Sequence, residues 1–325
     1  MLTYITRRVL YSIPVLFIST FLCFAFVSLA GDPRQNLLAN PKFSRVHYQL
    51  LAHQYHLDVS IPVRYWYWLQ DVFTHKLGSS LLTSQPIWPD LTRVMGHTLQ
   101  VIVLAELIAL VLGVAVGIYS AIKQYSIGDY AFTGLSFLGI SMPPFWFGLI
   151  AIEFIAIKPK EWFGMANTPF DFIGLHTPGH TGIFNGDYWQ HLMLPVLTLT
   201  IQSIAEWSRY QRASMLDVMS LDYIRTATAK GVPRRSVIMK HGFRNALIPL
   251  VSVVAIDIGA LFGGLIITEQ IFSIPGMGKV FIDALNAGDA QVLEVWLLIS
   301  AFFIILFNLF ADLAYGLLDP RVRLT

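Results

Sequence analysis

Long apolar runs separated by short polar segments dominate this chain, a pattern typical of helices that cross a membrane. Each span needs about 20 mainly apolar residues to cross about 30 Å of hydrocarbon. The pattern predicts six spans, near residues 9–30, 98–122, 131–157, 191–210, 246–272 and 292–318. The fourth is the weakest, because Gln202, Glu206 and Trp207 interrupt it. The sequence therefore predicts an all-α membrane protein with six transmembrane helices.

The composition also indicates a membrane protein, since 55% of the residues are hydrophobic and 13% are charged. That balance excludes an ordinary soluble domain. The net charge of +2 says little about partners, and we expect no nucleic acid among them. The single cysteine, Cys23, lies inside an apolar run and so favours neither a disulfide framework nor a thiolate metal site. The first apolar run is longer than a signal-peptide core, which indicates a retained membrane anchor.

Basic residues near the ends of the predicted spans set the orientation. They cluster on one side, at Arg7 and Arg8, at Lys123, between Arg209 and Arg244, and at Arg321 and Arg323. Cytoplasmic loops carry such an excess of Lys and Arg. Both termini are therefore predicted to be cytoplasmic, as is the loop at residues 211–245.

The first outer segment, residues 31–97, is too patterned to be a bare connector. Residues 46–57 have apolar positions at near-helical spacing, and four consecutive aromatic residues at 65–68 suit the boundary between water and lipid. His47, His53 and His56 also lie here, and the last two could share a helix face and hold an ion such as nickel or zinc. Surface histidines without a ligand are the simpler interpretation, because no further carboxylate or cysteine completes a set.

A polar, basic stretch at residues 221–249 stands out from the apolar background. Asp222 suits the N-cap of a short helix, Gly231 suits its left-handed C-terminus, and Pro233 suits the first turn of a second helix. The small side chains of the first helix, rimmed by Lys and Arg, would fit a groove in another protein. The alternative is a solvated cytoplasmic loop that merely obeys the charge rule.

This stretch resembles the coupling loop of ABC-importer permeases of the dipeptide, oligopeptide and nickel branch. The matching residues are 223–231 (YIRTATAKG) and 244–249 (RNALIP), with Arg225 where the wider family has Glu. Residues 57–69, 76–87, 268–285 and 308–321 resemble further segments of the same branch. The resemblance implies the six-helix fold of type I importer permeases and a loop that docks on a cytoplasmic ATPase. It assigns that contact to Asp222, Tyr223, Arg225, Thr226, Ala227, Ala229, Lys230 and Gly231.

Two kinds of residue are candidates for a translocation path. Pro143 and Pro144 break a predicted span and suit a kinked helix beside a cavity, although a purely structural kink is an equal alternative. Carboxylates at membrane depth usually face a cavity or a partner. Among Glu106, Glu153, Glu206, Asp257, Glu269 and Asp312, we favour Glu206 and Asp257, because their spans flank the loop. Glu206 could instead pair with Arg209 or Arg212. Glu269 is expected near the outer boundary, where it is easily hydrated.

No catalytic constellation is present in the sequence. Gly276, Gly278 and Lys279 lack the spacing and the hydroxyl residue of a phosphate-binding loop. Metalloprotease and serine-hydrolase motifs are absent as well. An intramembrane hydrolase or a channel is the alternative from a different class, and neither leaves its expected trace.

The resemblance implies one membrane subunit of an importer for di- or oligopeptides, with a nickel importer as the alternative. The chain itself would bind no cofactor, since ATP and Mg²⁺ would belong to two partner ATPase domains. A second, similar permease subunit, an extracytoplasmic solute-binding protein and membrane lipid complete the expected partners, in a bacterial inner membrane. The expected organisation is residues 1–30 for the first span, 31–97 for the external interfacial segment and 98–325 for the core, which contains the coupling loop at 211–245.

Overall fold

The computed structural model describes residues 2–30, 53, 56–74, 77–80, 85–183, 185–262 and 265–318. Across these residues the chain is helical, and the only β pairing is an isolated bridge between Ser79 and Pro86. The helices are α1 (Leu2–Ala30), α2 (Ile61–Phe73), α3 (Ile87–Ile122), α4 (Ile127–Ser141), α5 (Pro144–Ala151), α6 (Lys158–Trp162), α7 (Gly186–Met219), α8 (Asp222–Ala229), α9 (Arg234–Ser236), α10 (Arg244–Phe262), α11 (Ile266–Ile271), α12 (Met277–Ala287) and α13 (Ala290–Leu318). Wider π-helical turns join α5 to α6 at Ile152–Ile157 and α9 to α10 at Val237–Phe243.

Four of the described helices are long and apolar enough to cross a membrane. They cover Thr6–Leu29, Ile87–Ile122, Arg234–Leu261 and Ala290–Ala314. A fifth crossing results if α4 and the helix from Pro144 to Trp162 are counted together. These spans correspond to five of the six predicted ones. The predicted fourth span lies within α7, which is not among the helices that meet the test.

One side of helix α7 is buried in the bundle, which explains why its sequence is less apolar. Its packing partners are α3, α4, α5 and α10, with α3 the most extensive. Trp207 is 1% exposed, and polar residues such as Thr198 and Gln211 are equally buried. Because protein surrounds these groups, the helix does not need the continuous apolar surface that lipid would require.

Close contact between α3 and α7 depends on two glycines of α3, four residues apart. A Cβ atom added at Gly117 would lie 2.6 Å from the Gln211 Cβ, and one at Gly113 would lie 3.4 Å from the Trp207 Cβ. Small residues at this spacing let membrane helices approach backbone to backbone. The Gly113–Gly117 pair therefore sets the distance between the two helices.

The predicted third span is broken, not merely kinked. Pro143 is the N-cap of α5, and α4 and the following helix meet at an angle of 105°. The Met142 carbonyl, left without a helical partner, accepts a hydrogen bond of 3.2 Å from the Gln202 amide of α7. The neighbouring helix thus supplies a donor to a carbonyl that the helix break leaves free, which is the condition for tolerating prolines in a membrane helix. Both prolines lie on the exposed surface of this chain.

Helix α2 packs on α1 through part of the aromatic cluster at residues 65–68. Tyr65 is 9% exposed and its hydroxyl lies 2.8 Å from the Thr20 hydroxyl of α1, whereas Trp66 on the opposite face is 61% exposed. Arg64 forms a buried ion pair of 3.2 Å with Glu294 of α13. The predicted helical pattern at 46–57 falls mostly outside the described residues, as does His47.

His53 and His56 do not share a helix face as the sequence suggested. His53 is highly exposed and lies 3.8 Å from Asp58. His56 has a left-handed backbone (φ 52°), and its ring stacks on Tyr67 with the centroids 4.2 Å apart. His56 therefore lies in a turn, and the two rings have separate contacts.

Two further carboxylates have structural contacts. Asp312 of α13 pairs with Arg8 of α1, which ties the two ends of the chain together. Glu269, expected to be hydrated, is instead completely buried. Its carboxylate accepts hydrogen bonds from the Thr98 hydroxyl at 2.6 Å and from the Lys279 backbone N–H at 3.0 Å. Glu269 thus caps the N-terminus of α12, where free N–H groups need an acceptor.

Candidate functional site

The candidate docking surface is the coupling elbow, which we define as α8 with residues 230–236. Helix α8 begins one residue earlier than predicted, because Leu221 and not Asp222 is its N-cap, and Leu221 makes no side-chain capping bond. Asp222 is therefore the first helical residue, and it lies 3.5 Å from the Arg225 guanidinium. Its negative charge still stabilises α8, because it lies at the positive end of the helix dipole.

Gly231 turns the chain at the end of α8. Its φ of 76° is the left-handed conformation predicted for this position, and its N–H donates to the Thr228 carbonyl at 3.0 Å. The next N–H, that of Val232, donates to the Ala227 carbonyl at 3.2 Å. Pro233 is the N-cap of α9, one position before the first turn predicted for it. The helix–Gly–helix elbow is thus present.

The coupling elbow has an inner and an outer face. Ile224 and Ala227 face inward and pack with Val237 in a small apolar cluster. Ala227, which we expected at the partner contact, is only 9% exposed and so is a packing residue. The residues that remain exposed for a partner are Asp222, Tyr223, Arg225, Thr226, Ala229, Lys230 and Gly231.

A polar clamp connects the coupling elbow to the membrane helix beside it. The Asn245 side-chain amide of α10 donates to the Tyr223 hydroxyl at 2.9 Å and to the His241 carbonyl at 3.1 Å. The Tyr223 hydroxyl is also 3.4 Å from that carbonyl. His241 lies in the π-helical turn, a feature that often occurs at functional sites. From Arg234 to Leu261 the helix continues without a break, so the clamp joins α8 to a helix of 28 residues.

Three carboxylates lie on three helices that pack together, α3, α7 and α10. We call Glu106 of α3, Glu206 of α7 and Asp257 of α10 the acidic trio, because Glu106 and Asp257 contact Ser203 and Trp207, the residues of α7 on either side of Glu206. The Asp257 carboxylate accepts a 2.8 Å hydrogen bond from the Trp207 indole. Glu106 is 4% exposed, and one of its oxygens accepts from the Ser203 hydroxyl at 2.9 Å. Glu206 points to the exposed surface of α7.

The basic residues beside Glu206 have other contacts. Arg212 makes two 2.8 Å hydrogen bonds to Asp129 of α4, and Arg209 lies over the Phe137 ring, 4.3 Å from its centroid. Within the described ranges no basic group is within ion-pairing distance of Glu206. Glu206, Arg209 and Arg212 line a hollow between α4 and α7 that opens on the surface of the chain. The pairing with Arg209 or Arg212 that the sequence allowed is therefore not formed.

Comparison with known proteins identifies the family. The family model described as binding-protein-dependent transport system inner membrane component matches residues 113–324. This chain belongs to that family. It is 35% identical over 330 residues to the oligopeptide transport system permease protein AppB of Bacillus subtilis, an alignment that covers 99% of this chain and 100% of the relative. It is 36% identical over 338 residues to the dipeptide transport system permease protein DppB of Escherichia coli K12, with 99% of each chain covered.

A third relative is the oligopeptide transport system permease protein OppB of Mycobacterium tuberculosis, 34% identical over 329 residues with both chains fully covered. Membership confirms the resemblance stated from the sequence motifs. The permease is thus a membrane component of an ABC transport system, and not an enzyme.

Sequence reasoning missed three features of this permease. The Gly113–Gly117 spacing is visible in the sequence and is a known helix-packing signal. The Tyr223–Asn245 clamp joins residues 22 positions apart and has no sequence signature. The inclusion of Glu106 in the acidic trio depends on how α3 packs against α7 and α10.

Proposed function

We propose that this chain is one of two permease subunits of an ATP-driven importer for di- or oligopeptides. Peptides are the substrate named for its relatives AppB, OppB and DppB. The chain would supply half of the translocation path and couple it to cytoplasmic ATPases.

One observation carries this proposal. The coupling elbow presents an exposed, basic-rimmed helix that is hydrogen-bonded to α10, and α10 carries Asp257 of the acidic trio. Movement of α8 is thereby passed through one continuous helix to a polar group at membrane depth. Such a connection suits alternating access, in which ATP shifts a conformational equilibrium only by its differential affinity for the two states.

The exposed polar surface of α7 supports a second permease subunit. A charged side chain facing lipid at membrane depth costs about 2.5–3.5 kcal/mol on insertion scales. The hollow that contains Glu206 would avoid that cost if a similar subunit closed over it and left a water-filled path. Pro143 and Pro144, exposed at the break between α4 and α5, would lie along the same boundary.

The remaining partners follow from this arrangement. Two ATPase domains would bind ATP and Mg²⁺ and receive the coupling elbow, and a solute-binding protein would deliver the peptide from outside. The segment order would be residues 1–30 for the first span, 31–97 for the outer interfacial segment and 98–325 for the core, with the coupling loop at 211–245. Both termini would be cytoplasmic in a bacterial inner membrane. Helix α7 would be the fourth crossing along the chain and would complete the predicted set of six.

Reconstitution of the whole complex tests the proposal. The complex purified through this chain is placed in lipid with its binding protein, and ATP hydrolysis and uptake are measured with peptides and then with Ni²⁺. We expect peptides to stimulate hydrolysis and Ni²⁺ to have no effect. Stimulation by Ni²⁺ alone would favour a metal importer, and the absence of a co-purifying ATPase would contradict the coupling role.

A further inference from the structure

A cluster of carboxylates and imidazoles lies at the N-terminus of α7, in the second outer loop and apart from the acidic trio. Asp171, Asp187 and His191 each offer one ligand atom, and these atoms lie within 4.8 Å of one another. His176 lies beside this group, outside the set of three, with its Nδ1 3.3 Å from the Asp187 carboxylate. Two imidazoles and two carboxylates form the mixed N/O set that Zn²⁺ and similar ions bind.

The ligands are held in place by their own contacts. The Asp187 carboxylate accepts hydrogen bonds from the Thr177 hydroxyl at 2.5 Å and from the Thr177 N–H at 3.1 Å. His191 is 3% exposed, and its Nδ1 is 2.9 Å from the Asp187 carbonyl. A ring that donates there keeps the lone pair of Nε2 for an ion, the usual arrangement of metal-bound histidines.

The charge of the cluster also indicates a cation. Throughout the described part of the chain, neither Asp171 nor Asp187 has a Lys or Arg within ion-pairing distance. Two carboxylates held together in a partly buried position repel each other unless a positive charge lies between them.

We propose that Asp171, His176, Asp187 and His191 bind one divalent transition-metal ion of the Zn²⁺ class. An ion about 2.0–2.2 Å from each ligand brings the ligand atoms to about 3.4 Å from one another. Asp171 and His176 both belong to the irregular loop before α7 and can make most of that movement. The ion would fasten the outer loop to the start of α7. The inference is independent of the transported substrate.

Metal binding to the full-length chain, purified in lipid nanodiscs with its co-purifying subunits, tests this site. The sample is stripped with a chelator, equilibrated with Zn²⁺ and dialysed, and bound metal is measured by mass spectrometry. We expect about one Zn²⁺ per chain and a rise in the unfolding temperature, because the ion binds the folded state only. Asp171→Asn and His176→Gln, both at partly exposed loop positions, should each weaken binding at least tenfold.

His53→Gln is the matched control, since His53 forms another outer histidine–aspartate pair. It should bind Zn²⁺ as the parent does. If His53→Gln lost the ion and the cluster variants kept it, the metal site would lie in the first outer segment, which would overturn the proposal. Failure of the parent to retain Zn²⁺ would overturn it too.

Discussion

At the scale of single residues, two glycines of α3 have opposite surroundings. A Cβ atom added at Gly96 would meet no atom within 4 Å, whereas one added at Gly117 would lie 2.7 Å from the Ser208 carbonyl oxygen. We predict that Gly117→Ala costs about 1–3 kcal/mol through overpacking, and that Gly96→Ala gains up to about 1 kcal/mol through helix propensity. Thermal unfolding in detergent measures both. Equal effects of the two substitutions would contradict the close α3–α7 contact.

The charge of Asp257 also belongs to this scale. Asp257→Asn keeps an acceptor for the Trp207 indole but removes a charge from the acidic trio. We predict that peptide uptake falls by roughly tenfold, the loss expected for a charge-assisted interaction of about 1.4 kcal/mol, while assembly is unchanged. Glu206→Gln should also lower peptide uptake.

Glu153→Gln provides the control for these two variants, because Glu153 is paired with Lys158 at 3.6 Å, outside the acidic trio. It should transport normally. Parental uptake in both trio variants would make those carboxylates structural.

At the scale of elements, the clamp between α8 and α10 determines whether the two helices move together. Tyr223→Phe removes the hydroxyl that accepts from Asn245, while the ring remains. We predict that assembly and basal ATP hydrolysis persist and that the number of peptides carried per ATP falls several-fold. Asn245→Ala should have the same effect, because it removes the other half of the clamp.

Tyr130→Phe is the matched control, since the Tyr130 hydroxyl makes no hydrogen bond within the described residues. Its transport and hydrolysis should equal those of the parent. An unchanged ratio of transport to hydrolysis in Tyr223→Phe would show that the clamp is not needed for coupling.

At the scale of the whole molecule, alternating access predicts that the hollow beside α7 changes its exposure with the nucleotide state. Tyr210 lines that hollow and is 46% exposed. In a Cys23→Ser background, Tyr210→Cys should react with a membrane-impermeant maleimide from one side before vanadate trapping, and from the other side after it. Ile127→Cys, at the exposed start of α4, should react equally in both states. Equal labelling of both positions would argue against alternating access at this surface.

The sequence alone was enough for the features that depend on neighbours along the chain. Apolar runs longer than about 20 residues located five of the predicted spans, since transfer to lipid depends mainly on local composition. Gly231 marked the turn of the coupling elbow, because a left-handed backbone favours glycine. The prolines at 143 and 144 marked the break after α4, because they cannot continue the hydrogen-bond ladder.

Only the tertiary structure decided which polar groups are buried and what they contact. Helix α7 looked like a weak span because a hydropathy window does not register that other helices bury its polar residues on one side. Ala227 and Glu269 had the residue types of an exposed contact and of a hydrated carboxylate, yet packing against Val237 and capping of α12 bury them. Such contacts join residues that are distant in sequence, so no local pattern encodes them.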